Sequence, residues 1–198
     1  IRLSLSQASE PPDDSVPPFL WEQLVFPYVT GLEFVFALVA PDDWSAVDAV
    51  YDAPPRSTEQ VLHPERYRTD APTWLTFDAS DPVADRYMVD VFGEFAIGSL
   101  LRQLLADVVT MSAVERAVEG WDGDRLEAWR FEGEPGRDRL VWLSVWDSEG
   151  DAEAFAAVAS RLTVPWLETA GRGERVSGEG RSWSSEVASA VLVIERWG

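Results

Sequence analysis

Across 198 residues, 35 acidic side chains stand against 16 basic ones and a single histidine, for a formal net charge of −19. A surface of that sign repels phosphate backbones and anionic headgroups, which argues against nucleic acid or an acidic membrane as partner. The absence of cysteine excludes disulfides and thiolate catalysis.

All of the basic residues are arginine. Carboxylates hold hydration and counter-ions where water activity is low, while a lysine stem exposes apolar surface. The composition therefore points to a salt-rich, halophilic source; arginine replacing lysine through codon bias in a GC-rich genome is the alternative. In dilute buffer the charges repel one another and oppose compaction, and at molar salt a screening length of about 3 Å removes most of that repulsion. The melting temperature is expected to climb between low and molar salt; a midpoint that does not move dismisses the halophilic reading.

Apolar residues make up 46% of the chain, enough for a sizeable core in one domain or two closely packed ones. The apolar stretch Phe19 to Ala40 is broken by Glu22, Gln23, Pro27 and Glu33, so it does not read as a membrane span, and no signal peptide is visible. Because the sequence starts at Ile1 and not at Met, the expectation is that something upstream has been removed or left out.

Residues 1–18, with Pro11, Pro12, Pro17 and Pro18, read as an extended strap. Pro18 suits the first turn of a helix running to Val39, on which Leu20, Leu24, Tyr28, Leu32, Val35 and Phe36 recur at helical spacing. Asp42 or Asp43 can cap a short helix from Trp44 to Tyr51. Ser57 with Gln60 three residues on is a capping-box pattern, and Pro64 limits that helix to a turn or two. A second long helix is predicted from Pro82 to Asp107, and another from Ser112, capped with Glu115, to Gly120.

The pattern then changes. Trp121-Asp122-Gly123-Asp124 reads as a turn, and Arg125 to Glu132 and Arg139 to Trp146 as strands of a hairpin around Gly133-Glu134-Pro135-Gly136. Ser148 precedes a helix over 149–162, and strands follow at about 172–177 and 187–196, with 181–184 pairing at the turn between them. The expected fold is α+β: a strap over 1–18, a helical part over 19–120, then a small, mostly antiparallel β-β-α-β-β sheet packed with helix over 121–198, together one compact unit.

The run Pro54-Pro55-Arg56-Ser57-Thr58-Glu59-Gln60-Val61-Leu62-His63-Pro64-Glu65-Arg66-Tyr67 is the most specific stretch. It resembles the C-terminal part of a family of prokaryotic gluzincin-like zinc metallopeptidases. Phe26-Pro27-Tyr28, Gly93-Glu94, Gly120-Trp121-Asp122-Gly123-Asp124-Arg125 and Trp146-Asp147-Ser148 agree in order. The resemblance spans residues 19–160, implies a shared fold and favours an extracellular or cell-surface location. Zinc in that family rests on a His-Glu-x-x-His helix and a third glutamate. With His63 as its one histidine this chain holds no cofactor set of its own; zinc would require a longer form.

No complete catalytic set is legible, so the candidate residues are binding ones. They are Arg56 and Glu59 at a helix start, His63 and Tyr67 in the motif, and Asp90 and Glu94, spaced four apart as on one helical face. The ordinary reading of each is structural: a helix end for His63, a loop anchor for Arg56 and Glu59, chance spacing for the two acids. The expected function is that of a non-catalytic, metallopeptidase-like domain with a recognition or structural role, its partner a peptide or protein. The alternatives are the C-terminal half of an active zinc metallopeptidase and a hydrolase using Asp90 and Glu94 as paired carboxylates.

Overall fold

The computed structural model describes residues 15–40, 43–76, 84–131, 139–162, 173–177, 182–187 and 190–195. Residues 1–14 of the expected strap, Pro82 and the hairpin turn at 133–136 lie outside them. The chain is α+β and divides into two units, residues 1–72 with 93–103 and residues 73–92 with 104–198. Among the described residues no helix is long and apolar enough to cross a membrane.

The first unit is helical. Helix α1 (Pro18–Leu38) starts on its proline and runs through Pro27. Helix α2 (Ser45–Asp52) is opened by Asp43, whose carboxylate accepts from the Ser45 amide at 2.9 Å. Helix α3 (Thr58–Leu62) is capped by Ser57, whose hydroxyl accepts from the Gln60 amide as the motif predicts. Helix α4 (Gly93–Leu104) brings the buried Ala96, Ile97 and Leu101 to the core. Phe26 of α1 meets Phe95 at 4.0 Å between ring centroids, and Phe34 meets Tyr67 edge-on at 5.3 Å. These contacts supply the non-local packing that helices this short need.

The second unit carries two antiparallel sheets. Strands β1 (Ala84–Asp90), β2 (Trp121–Phe131) and β3 (Arg139–Trp146) pair in that order. Strands β4 (Gly173–Ser177), β5 (Ser182–Val187) and β6 (Ala190–Glu195) form the second sheet, one strand more than the sequence pattern suggested. Helix α5 (Met111–Val118) begins one residue before the expected Ser112 cap, after Thr110. Helix α6 (Glu149–Ala159) is capped by Ser148 as expected, and its Phe155 stacks on Trp146 at 4.4 Å and meets Trp142 edge-on at 5.7 Å.

Two expectations are overturned. Residues 84–90 are a strand, not the first turns of a long helix. Their side chains from Asp85 onward are exposed, so the buried stripe that would hold a helix there does not exist. The pairing of β1 with β2, with a bulge between Arg86 and Met88, satisfies the backbone instead. Gly93 at φ +73° then turns the chain into α4, a conformation in which a Cβ is disfavoured. The second correction concerns Asp122-Gly123-Asp124, which lies within β2 beside a bulge. Gly123 is required because the Thr73 carbonyl oxygen occupies the place where a Cβ would stand.

Candidate functional site

The motif residues converge in the first unit. Serine at the cap and proline after His63 confine α3 to five residues, placing Glu59 and Gln60 inward and His63 at the C-terminal end. The Gln60 side chain accepts from the Arg56 amide at 2.7 Å and donates to the Asp70 carbonyl, tying both ends of the 56–70 segment. That departs from a full capping box, in which the glutamine would return to the serine amide. Tyr67 is buried, and its hydroxyl donates to the Ala53 carbonyl.

Within this frame four ionisable side chains meet in pairs. His63 Nε2 lies 3.0 Å from Glu94 Oε1, across 31 residues of sequence. Arg66 Nη1 donates to Glu59 Oε1 at 2.8 Å. His63 Nδ1 stands 3.9 Å from the exposed Glu65, so the ring has a carboxylate on each side. Glu59 is 1% exposed, and its second oxygen has no hydrogen-bond donor among the described residues. Burial pushes its carboxyl up to about 7, against the hydrogen bond from Arg66 and helped by the negative charges of Asp70 and Glu94. At neutral pH this group therefore exchanges a proton beside a histidine–glutamate pair. The arrangement can store a proton and hold the α3 segment to α4.

The junction is tight. Thr58 Oγ1 accepts from the Phe95 amide at 3.3 Å, capping α4 from another element. A Cβ on Gly93 would come within 2.5 Å of that same oxygen. Gly93→Ala is expected to cost about 2–3 kcal/mol in denaturant unfolding, from the positive φ together with the collision. A loss under about 0.5 kcal/mol would show that the junction relaxes freely.

Of the residues singled out by sequence, Glu59, His63, Tyr67 and Glu94 are assembled in this unit. Arg56 is exposed and contributes its backbone amide to the Gln60 staple. Asp90 closes β1, is exposed, and accepts from the Val91 amide at 2.9 Å. The one-turn helical spacing that would have set it beside Glu94 does not exist, because strand and helix meet between them.

Sequence reasoning passed over Arg66 and Asp70, which act on Glu59 beside the larger effect of burial, the guanidinium lowering its carboxyl and the second acid raising it. Their positions seven and eleven residues after Glu59 were the available signal. It also passed over Asp124 and Glu127 in the second unit. Asp124 is buried and accepts from Trp121 Nε1 at 3.0 Å, Trp142 Nε1 at 3.0 Å and the Phe92 amide at 2.9 Å. Glu127 is buried between Arg86 and Arg125.

Beside the motif, still within the first unit, a cleft of about 470 Å³ opens. Leu38, Ala46, Ala49 and Tyr67 give it an apolar lining, and Glu65 and Arg68 add one charge of each sign. Its size falls within the usual range for small ligands and anchoring side chains.

Residues 82–198, more than half of the chain, match the model of a family described as a domain of unknown function, DUF8575. No curated protein and no solved structure matches.

Proposed function

We propose that this chain, which belongs to the DUF8575 family, is a non-catalytic, metallopeptidase-like recognition domain whose first unit binds a peptide segment. The cleft beside the motif carries the reading. It offers an apolar floor for one side chain and a carboxylate and a guanidinium for the flanking polar groups of a peptide. The paired His63–Glu94 and Glu59–Arg66 groups brace the segment that forms one wall. Exposed apolar surface on the same unit supports recognition over a purely structural role: Leu24, Tyr28 and Tyr51 are each more than 60% exposed. One histidine cannot supply the two imidazoles of a zinc peptidase centre, which favours binding over cleavage.

Ala49→Trp fills the cleft from α2. In fluorescence titrations against an array of short synthetic peptides, wild type is expected to retain a subset rich in apolar residues. The variant should lose that subset with an unchanged melting temperature. Retention of the same peptides by Ala49→Trp would remove the cleft from consideration. New peptide termini in mass spectra after incubation would overturn the non-catalytic assignment.

A further inference from the structure

Glu127 sits in the middle of β2 with 0% of its surface exposed. Among the described residues, both cations that reach it land on one oxygen. Arg86 Nη1 donates to Oε1 at 3.0 Å and Arg125 Nε donates to the same atom at 2.6 Å. Oε2 is also buried and has no hydrogen-bond donor among the described residues. A brace serving only to neutralise the carboxylate would set one guanidinium on each oxygen, because a bare buried lone pair costs free energy. Here the second arginine exceeds the charge it faces. Two guanidiniums against one carboxylate leave a single positive charge, in a chain whose net charge is −19.

The two arginines are also positioned. Arg125 Nη1 donates to the Leu75 carbonyl at 3.3 Å, and the Arg86 guanidinium lies 5.6 Å from the centre of the Trp129 ring. Neither is sealed off, their side chains being 40% and 21% exposed for Arg86 and Arg125. Two fixed, partly exposed guanidiniums with donors to spare are suited to recognising a planar or tetrahedral oxyanion. We infer that Arg86 and Arg125, held in place by Glu127, form a binding site for an oxyanion, the carboxylate or phosphate group of a ligand. The incoming negative charge offsets the repulsion between the two arginines, which the single carboxylate leaves only partly compensated.

Calorimetric titration of the full chain with inorganic phosphate and, separately, acetate tests this at constant ionic strength. Saturable one-to-one binding of at least one anion is expected. Phosphate alone would identify a phosphate-bearing ligand and acetate alone a carboxylate. Arg86→Gln should weaken the binding at least tenfold. Arg125→Lys, which keeps the charge and loses the forked donors, should weaken it by a similar factor. Arg102→Gln, at the arginine paired with Glu22 in the other unit, should leave it unchanged. Saturation by neither anion overturns the inference, as does equal binding by wild type and both of the first two variants.

Discussion

Glu59→Gln is expected to flatten the pH dependence of stability across the window from about pH 4.5 to 7. The wild-type carboxyl holds its proton up to about 7 in the folded chain, against 4.5 as the ordinary value. Below pH 4.5 both states are protonated and the favourable contribution is complete. As the pH rises, the unfolded chain releases this proton first, so stability falls until the folded carboxyl has ionised as well. Two and a half units at 1.36 kcal/mol each make the loss about 3 kcal/mol. The glutamine cannot ionise, so the variant should gain about that much relative to wild type between pH 4.5 and 8. Urea unfolding followed by tryptophan fluorescence at stepped pH measures the difference. Taking the difference between variant and wild type cancels the titration of the other acids, which both proteins share. A constant difference across the window would mean that solvent reaches Glu59 and its proton is ordinary.

The second large effect is expected at Asp124. Its two oxygens serve two indole N–H groups and one backbone amide, drawn from Trp121, Trp142 and Phe92. Phe92 and Trp142 also meet edge-on at 5.7 Å, so the carboxylate anchors an aromatic cluster that continues to Phe155. Asp124→Ala leaves three donors without their acceptor, at about 1–3 kcal/mol for each group left unsatisfied. Relaxation and water entry recover part of this, and a net loss of about 4 kcal/mol is expected. Asp124→Asn keeps the shape and one acceptor oxygen, so it should fall between the two. Urea midpoints order the three proteins, and an alanine variant within about 1 kcal/mol of wild type would dismiss the keystone role.

Legibility from sequence followed the range of the interaction. Helix starts at Pro18, Ser57 and Ser148 were readable because caps and proline act within a turn. The hairpin of β2 and β3 was readable from two runs of aromatic and β-branched residues. Strand β1 was not, because Val89, Phe92, Phe95 and Ala96 fit a helical period as well as a strand followed by a helix. The deciding partner, β2, lies about forty residues away. The same limit held at the sites. His63 and Glu94 were both singled out, but their pairing spans 31 residues and left no local mark. Asp124 and Glu127 looked like ordinary acids of a strongly acidic chain. What makes them different, two indoles and two guanidiniums, is assembled by the sheet and its flanking segments.

The route of the chain bears on how pieces of it would behave. Residues 93–103 belong to the first unit, although the rest of the family match, 82–92 and 104–198, belongs to the second. A fragment cut at the family boundary therefore carries α4 away from α3. Glu94 leaves without His63, the Phe95 amide without Thr58, and the Phe95 ring without Phe26. The inherited segment and the folding unit are not the same piece of chain. Truncations drawn along family lines would orphan a helix that the excluded residues normally hold, and cuts meant to isolate either unit must sever the backbone at three points.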